Sequence, residues 1–310
     1  MADVVDPEKH TLSRRQLLRW GIAGVAVVAV AGASGIELVS HGVLPGKQTL
    51  DGLDGSCSVG SSPLIFSPPG PSTSGSFYSK ARNRQVGYYI GFPPGYRSGD
   101  PLPLIVMLHG FGESHTTALA GMTPAQAVAL HVDGHPLPPM AMVTVDGGGG
   151  YWNPHPGDDP MAMVVDELIP LCQDLGVGRA PQKIGTMGIS MGGYGAILLA
   201  ERYPGMVSAV AAISPAIWTT YDQASKANAG AFASQQAFAA NDVITHIGEL
   251  AGRPVRIASG SDDPFHPGVV ALAGVAPAST TVAISPGCHT SPFFVSQEPP
   301  SLAFLGRNLV

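Results

Sequence analysis

The sequence predicts an α/β fold with a mostly parallel central sheet of about eight strands and helices on both faces. Leu104–Leu108 is apolar at every position, and residues 140–145 are apolar at all but one. Such runs are typical of strands buried on both faces of a sheet. Residues 161–171 instead place their apolar side chains at helical spacing. Strands that alternate with helices indicate a parallel sheet covered on both sides.

The rest of the chain continues this alternation. A helix is predicted for residues 194–202, and a last helix within residues 300–309. Further strands are predicted at residues 85–92, 183–187, 206–213, 255–259 and 281–285. Ligands of such sheets bind at the carboxyl ends of the strands. Functional residues are therefore expected directly after strands.

Composition excludes some classes of protein. Of the 310 residues, 45% are hydrophobic and 12% are charged, which allows a large core. The net charge of −6 offers no basic surface, so nucleic acid is not expected as a partner. Cys57, Cys172 and Cys288 lack the spacing of a zinc site, and neither a metal nor an organic cofactor is predicted. The three cysteines allow at most one internal disulfide, whose pairing the sequence leaves open.

The N-terminal residues 1–36 have the features of an export signal. Arg14 and Arg15 form a twin arginine, and residues 21–34 are uncharged and apolar. The pattern predicts the twin-arginine export machinery as a partner and an extracellular, periplasmic or cell-wall location. Small residues at 31–33 could be a cleavage site. An uncleaved signal would instead associate the protein with the membrane or cell wall.

Two regions follow the signal segment. Residues 37–75 are predicted to be a linker, because the stretch is rich in Ser, Pro and Gly towards its end. Residues 76–310 contain the alternating strands and helices, and they are predicted to be the folded domain.

The most informative motif is Gly188-Ile189-Ser190-Met191-Gly192, which lies between a predicted strand and a predicted helix. A nucleophilic serine needs this strand–turn–helix context. The sharp turn exposes the serine hydroxyl, and the small glycines on either side leave room for the strained backbone. Ser190 is therefore the candidate nucleophile.

The loop after the strand Leu104–Leu108 is a candidate oxyanion hole. Here His109, Gly110 and Phe111 follow the strand. In serine hydrolases one backbone N–H comes from such a loop, and the other comes from the residue after the nucleophile. The N–H groups of Phe111 and Met191 are the two candidates. His109 and Gly110 are expected to contact substrate.

An acid and a base follow two later strands. Either Asp262 or Asp263 could orient an imidazole, and Asp263, directly before a proline, is preferred. His289 is the candidate general base, because the chain order Ser190, Asp263, His289 is that of α/β-hydrolases. Tyr151 and Trp152 are candidates for the wall of the substrate pocket, although a packed structural pair would look the same.

Several segments resemble the esterase family that includes S-formylglutathione hydrolases, feruloyl esterases and actinobacterial mycolyltransferases. The segments that carry the resemblance are residues 87–96, 146–148, 151–153, 157–159, 188–196, 203–204 and 213–216. The resemblance implies the α/β-hydrolase fold and a Ser-Asp-His triad. Cys288 and the stretch 290–294 depart from the esterase pattern, which leaves the substrate open.

Three functions follow from these features. The first is an exported serine esterase that acts on a small-molecule, lipid or sugar ester through an acyl-enzyme intermediate. The second is an acyltransferase in which a sugar hydroxyl replaces water. The third is a binding protein with a hydrolase-like fold and no catalysis.

Overall fold

The computed structural model describes Cys57 and residues 70–118, 131–132 and 135–309. Its central feature is an eight-stranded sheet. The strands are β1 (Ser72–Ser79), β2 (Arg84–Gly91), β3 (Leu104–Leu108), β6 (Ala141–Val145), β7 (Ile184–Ile189), β8 (Val207–Ile213), β9 (Val255–Gly260) and β10 (Thr280–Ser285). Their order in the sheet is β1-β2-β6-β3-β7-β8-β9-β10. β1 and β2 pair antiparallel, as do β2 and β6, and all other neighbours are parallel. Two short strands, β4 (His131–Val132) and β5 (His135–Pro136), pair separately.

Helices connect the strands. In the described residues they are α1 (Pro160–Met163), α2 (Ile169–Asp174), α3 (Met191–Arg202), α4 (Tyr221–Ala227), α5 (Gln235–Ala240), α6 (Val243–His246), α7 (His266–Ala273) and α8 (Ser291–Asn308). A π-helical turn, Val164–Leu168, joins α1 to α2, and a 3₁₀ turn, Ile247–Leu250, follows α6. None of the helices in the described ranges is long and apolar enough to cross a membrane.

Hydrophobic clusters cover both faces of the sheet. Along β3, Leu104, Val106 and Leu108 belong to one cluster, whereas Ile105 and Met107 belong to the other. This alternation follows from the two-residue period of a strand. Residues of α3 complete the first cluster and residues of α8 complete the second. The predicted α/β-hydrolase architecture, with a mostly parallel sheet between helices, is therefore confirmed.

The chain becomes regular earlier than the sequence predicts. Residues 37–75 were expected to be a linker, but β1 begins at Ser72 and pairs with β2 over its full length. The β1 segment is rich in Ser and includes Gly75, a residue type that is depleted in strands. Pairing with β2 at the edge of the sheet satisfies the backbone hydrogen-bonding groups of β1. The local sequence does not show this pairing. The predicted signal, residues 1–36, lies outside the described residues.

The last helix also begins earlier than expected, because α8 starts at Ser291 and continues through Pro299 and Pro300. A proline inside a helix costs about 3 kcal/mol or more. Phe293 and Leu302, one on each side of the proline pair, are fully buried, and each such side chain contributes about 1.5–3 kcal/mol. Packing on both sides therefore holds the helix together across the prolines.

Candidate active site

Ser190 lies in a strained turn between β7 and α3. Its backbone has φ 56° and ψ −120°, a region that residues other than glycine rarely occupy. The Ser190 N–H donates to the Ile213 carbonyl at 3.0 Å, and the Ser190 carbonyl accepts from the N–H of Ala216 at 3.0 Å. Neighbouring backbone on β8 and the loop after it therefore holds the turn. Such retained strain is common at functional sites.

The glycines beside Ser190 are required by space. A Cβ on Gly188 would overlap the backbone of Gly192, and a Cβ on Gly192 would overlap the Leu108 carbonyl oxygen. The first turn of α3 therefore lies directly against the end of β3. This contact brings the helix N-terminus, with its unpaired N–H groups, next to the loop that follows β3.

Three side chains from separate loops meet at this turn. The Nε2 atom of His289 lies 2.9 Å from the Ser190 Oγ, and its Nδ1 atom lies 2.9 Å from the Asp263 Oδ2. The other carboxylate oxygen, Oδ1, accepts from the N–H of Phe265 at 2.8 Å. The Asp263 side chain is fully buried and that of His289 is 16% exposed. The imidazole therefore bridges a serine hydroxyl and a fixed carboxylate.

The neighbouring aspartate has a different environment. Asp262 is half-buried, and its Oδ2 accepts from the Ser261 hydroxyl at 2.8 Å. Its main-chain N–H donates to the Gly287 carbonyl. Of the two candidate acids, the one within hydrogen-bond distance of His289 is Asp263.

Two phenylalanines, which the sequence did not identify, hold the imidazole edge-on. The ring of Phe265 lies 5.1 Å from that of His289, and the ring of Phe294 lies 4.9 Å from it on a different element. These contacts limit rotation of the imidazole. A phenylalanine near a histidine in sequence is too common a feature to reveal this arrangement.

The two candidate oxyanion donors lie on the segments that Gly192 brings together. Among the described residues, neither the Phe111 N–H nor the Met191 N–H has a hydrogen-bond partner. Glu113 accepts from the Gly110 N–H at 2.7 Å and thereby fixes the turn. The Phe111 ring is 60% exposed and lies against Gly149. Both N–H groups are therefore available to a ligand oxygen within the described part of the chain.

The four residues predicted to contact substrate are instead buried behind the site. His109, Tyr151 and Trp152 are 2%, 5% and 0% exposed, and Gly110 is also buried. The Trp152 indole fills the space that glycine leaves at positions 147 and 195, and it donates to the His109 carbonyl at 3.2 Å. For Tyr151 and Trp152 this burial favours the alternative of a packed structural pair, and the missing Cβ atoms at 147 and 195 are what admit the indole to the core. These residues support the site and do not line its surface.

The His109 imidazole connects two loops through hydrogen bonds. Its Nε2 accepts from the Gly147 N–H at 2.9 Å, so its proton is on Nδ1, which donates to the Gly110 carbonyl at 2.8 Å. Burial lowers the pKa of His109. The neutral imidazole therefore joins the candidate oxyanion loop to the loop after β6.

A buried arginine, which the sequence did not identify, extends this framework. The guanidinium of Arg82 pairs with Asp158 at 2.7 Å and also donates to the Asp146 carbonyl. The Asp146 carboxylate accepts from the N–H groups of Gly87 and His115. Burial acts to raise the pKa of Asp146, but these hydrogen bonds and the His115 side chain outweigh it and lower the pKa. An arginine after a strand gives no sequence signal for such a role.

A disulfide joins Cys57 to Cys288, the residue directly before His289. The sequence had left this pairing open. Cys172 is buried and unpaired, and burial raises the pKa of its thiol to about 12. The bond thus connects the N-terminal part of the chain to the loop that carries the imidazole.

Reduction of this disulfide is expected to lower both stability and activity. The bond closes a loop of 231 residues, and loss of a native disulfide typically costs about 2–5 kcal/mol. We expect Cys57→Ser, or wild type with reductant, to melt about 4–20 °C lower by calorimetry. The turnover number should fall with it, because the His289 loop loses its covalent attachment.

Cys172→Ala is the matched control for this prediction. It keeps the disulfide, so its melting temperature should still respond to reductant, whereas that of Cys57→Ser should not. An unchanged melting temperature and turnover in reduced wild-type protein would contradict the expectation.

Within the described residues, no cluster of three or more His, Cys, Asp or Glu side chains could hold a metal ion. The absence of a cofactor stays a prediction. What the site does contain is a hydroxyl, an imidazole and a carboxylate in series, and the two candidate donor N–H groups lie on segments that meet at Gly192. This is the set of groups that acyl transfer requires.

The chain matches a family model described as "Putative esterase" over residues 79–268. No curated protein matches the sequence. Among solved structures, a ferulic acid esterase is 20% identical with a TM-score of 0.63, covering 77% of this chain and 98% of its own.

Two further structures have the same fold. The S-formylglutathione hydrolase of Agrobacterium tumefaciens is 17% identical with a TM-score of 0.60, covering 81% of this chain and 98% of its own. MPT51 of Mycobacterium tuberculosis is 16% identical with a TM-score of 0.60, covering 77% and 99%. At these identities the structural similarity establishes the fold. The family match covers more than half of the chain, and it confirms the predicted resemblance.

Proposed function

Because this chain belongs to the esterase family and is an esterase, we propose that it cleaves carboxylic esters through Ser190, His289 and Asp263. The observation that carries the proposal is the pair of 2.9 Å contacts that His289 makes with the other two side chains. A nucleophile, a base and an orienting acid in hydrogen-bond contact are the requirements for covalent catalysis by serine.

The first half of the proposed reaction forms an acyl-enzyme. Ser190 Oγ attacks the carbonyl carbon of the ester while its proton moves to His289 Nε2. The carbonyl oxygen becomes an oxyanion, which the N–H groups of Phe111 and Met191 stabilise. The bond to the alcohol oxygen then breaks, and His289 returns the proton to the departing alkoxide.

The second half releases the acid. Water attacks the acyl carbon, and its proton moves to His289 Nε2. The bond to Ser190 Oγ breaks, and the imidazole returns the proton to the serine. Throughout, the buried Asp263 carboxylate holds Nδ1 protonated and stabilises the imidazolium. Each preorganised N–H donor is expected to contribute about 10²–10³-fold to the rate.

Covalent labelling tests the proposal. A fluorophosphonate should react with one equivalent of protein, and peptide mass spectrometry should locate the adduct on Ser190. A p-nitrophenyl ester should give an initial burst of p-nitrophenol, because the acyl-enzyme accumulates. A protein that binds esters but neither labels nor turns them over would be a binding protein, and the proposal would be rejected.

Hydrolysis and transfer to a sugar share every residue named above. Turnover of a p-nitrophenyl ester with and without trehalose or glucose separates them. We expect free acid as the product in both cases. Acyl-sugar formed at the expense of free acid would instead assign an acyltransferase.

We also propose export by the twin-arginine route. The Cys57–Cys288 disulfide supports this location, because structural disulfides are typical of oxidising compartments. Fractionation of cells that express the full chain, with Arg14 and Arg15 intact or both changed to Lys, tests the route. Retention of only the Lys variant inside the cell is the expected result, and equal export of both variants would contradict it.

A further inference from the structure

A cavity of about 270 Å³ lies between α8 and the ends of β3 and β7. Leu108 and Ile189 lie on one side of it. The opposite side is one face of α8, formed by Ser291, Phe294, Val295 and Glu298. These four positions follow the i, i+3, i+4, i+7 spacing of a single helix face. The volume is close to the lower end of the range for ligand pockets.

Two residues that line the cavity adjoin the proposed catalytic residues. Ile189 directly precedes Ser190, and the Phe294 ring lies 4.9 Å from that of His289. From Ser291 to Glu298 the helix advances seven residues, or roughly 10 Å at 1.5 Å per residue. A group attached to the reacting carbonyl could therefore extend along α8 as far as Glu298.

Glu298 is the feature that packing alone does not explain. It is 3% exposed, and its Oε2 atom is buried with no hydrogen-bond partner in the described part of the chain. Burial raises its pKa to about 7. Leaving a carboxyl oxygen unpaired in such a place is costly. A partner supplied by a ligand would remove that cost.

The other carboxyl of the cavity is already in use. Glu113 accepts from the Gly110 N–H at 2.7 Å, at the end nearer the candidate oxyanion loop. The cavity is thus mainly apolar between the reacting centre and Glu298. A ligand that fits it has an apolar body and one polar group at the far end.

We propose that this cavity binds a chain of the ester substrate that is apolar along its length and ends in a hydroxyl group. The hydroxyl hydrogen bonds to the Glu298 carboxyl. A hydroxyl suits this position because it can both donate to and accept from a carboxyl group. The chain could belong to the acyl or to the alcohol side of the ester, and the inference rests on the proposed ester hydrolysis.

Matched substrates test the proposal. One arm compares p-nitrophenyl esters of straight-chain acids, from butanoyl to octanoyl, with the same acids carrying a terminal hydroxyl. The second arm compares acetate esters of the corresponding straight-chain alcohols and diols. In one arm, kcat/KM of the wild type should be about tenfold higher for the hydroxyl-bearing substrate at the best chain length, as expected for pairing a buried polar group. The arm that shows the preference identifies whether the acyl chain or the alcohol chain of the ester occupies the cavity.

Substitutions at Glu298 assign the preference to its carboxyl group. Glu298→Gln keeps a hydrogen-bonding side chain of the same size, so the preference should change by less than about threefold. Glu298→Leu offers no hydrogen bond, so the ratio should fall to about one or below. Val295→Phe should shorten the accepted chain, and it provides a second test if a Glu298 variant does not fold.

Glu201→Gln is the matched control. Glu201 is another buried glutamate, located on α3 outside this cavity, and burial raises its pKa to about 9. Its substitution should leave the hydroxyl preference unchanged. The inference is overturned if both arms show no preference or if Glu298→Leu keeps it. Failure to hydrolyse even p-nitrophenyl acetate or to label with fluorophosphonate would reject the proposed function itself.

Discussion

Ser190→Ala should lower kcat for a p-nitrophenyl ester by about 10⁶-fold, the loss typical of a serine nucleophile. The alanine removes the attacking oxygen and leaves His289 without a proton to accept. Labelling by a fluorophosphonate should be abolished. Because the backbone of residue 190 is set by its hydrogen bonds to Ile213 and Ala216, melting temperature should change little. The loss of kcat is measured in long assays that are stopped at fixed times. Titration of active sites corrects for any residual active enzyme.

Ser214→Ala is the matched control for this substitution. Ser214 also has a positive φ, of 44°, and is fully buried at the end of β8. Its hydroxyl has no hydrogen-bond partner among the described residues, so removing it should be close to neutral. We expect activity within about threefold of wild type. Retention of more than one per cent of activity in Ser190→Ala would contradict the proposed nucleophile.

The double variant Ser190→Ala/His289→Ala adds a further expectation. Residues that act as a unit in one step are not additive, so the double variant should be about as slow as Ser190→Ala alone. A further large loss in the double variant would mean that His289 contributes independently of the serine. Comparison of kcat for the wild type, Ser190→Ala and the double variant decides between these outcomes.

The three residues whose side chains meet could be predicted because each of them follows a strand. Ser190, Asp263 and His289 lie within four residues of the ends of β7, β9 and β10, and parallel strands bring their carboxyl ends to one edge. Apolar runs identify such strands from local sequence alone. The order of these residues along the chain then assigns each a proposed role, as nucleophile, acid or base.

The residues around the site could not be predicted in the same way. Trp152 is buried because Gly147 and Gly195 leave space for its ring, and these positions are far apart in sequence. The same applies to Phe294, which reaches His289 only because α8 begins at Ser291. Arg82, Glu113 and Glu298 act through contacts that depend on the assembled fold. The local sequence pattern identifies strands and helices. The contacts of these residues depend instead on which strands, helices and loops meet in the fold.

Asp263→Asn should lower kcat by about 10⁴-fold, and the hydrogen bonds of Asp263 give the reason. The Phe265 N–H donates to one carboxylate oxygen, and His289 Nδ1 pairs with the other. An asparagine has one acceptor and one donor group. If its oxygen stays with the Phe265 N–H, its NH₂ faces Nδ1 and donates to it. The imidazole proton is then on Nε2, which can no longer accept a proton from Ser190.

Asp262→Asn is the control at the adjacent position. Asp262 accepts from Ser261 and is half-buried, whereas the Asp263 side chain is fully buried, so water cannot replace its carboxylate. We expect Asp262→Asn to change kcat by less than about threefold, with both variants melting within a few degrees of wild type. Pre-steady-state measurement of p-nitrophenol release should place the Asp263→Asn defect in acylation. A larger loss in Asp262→Asn would transfer the orienting role to that residue, and the contact between Asp263 and His289 would then be structural only.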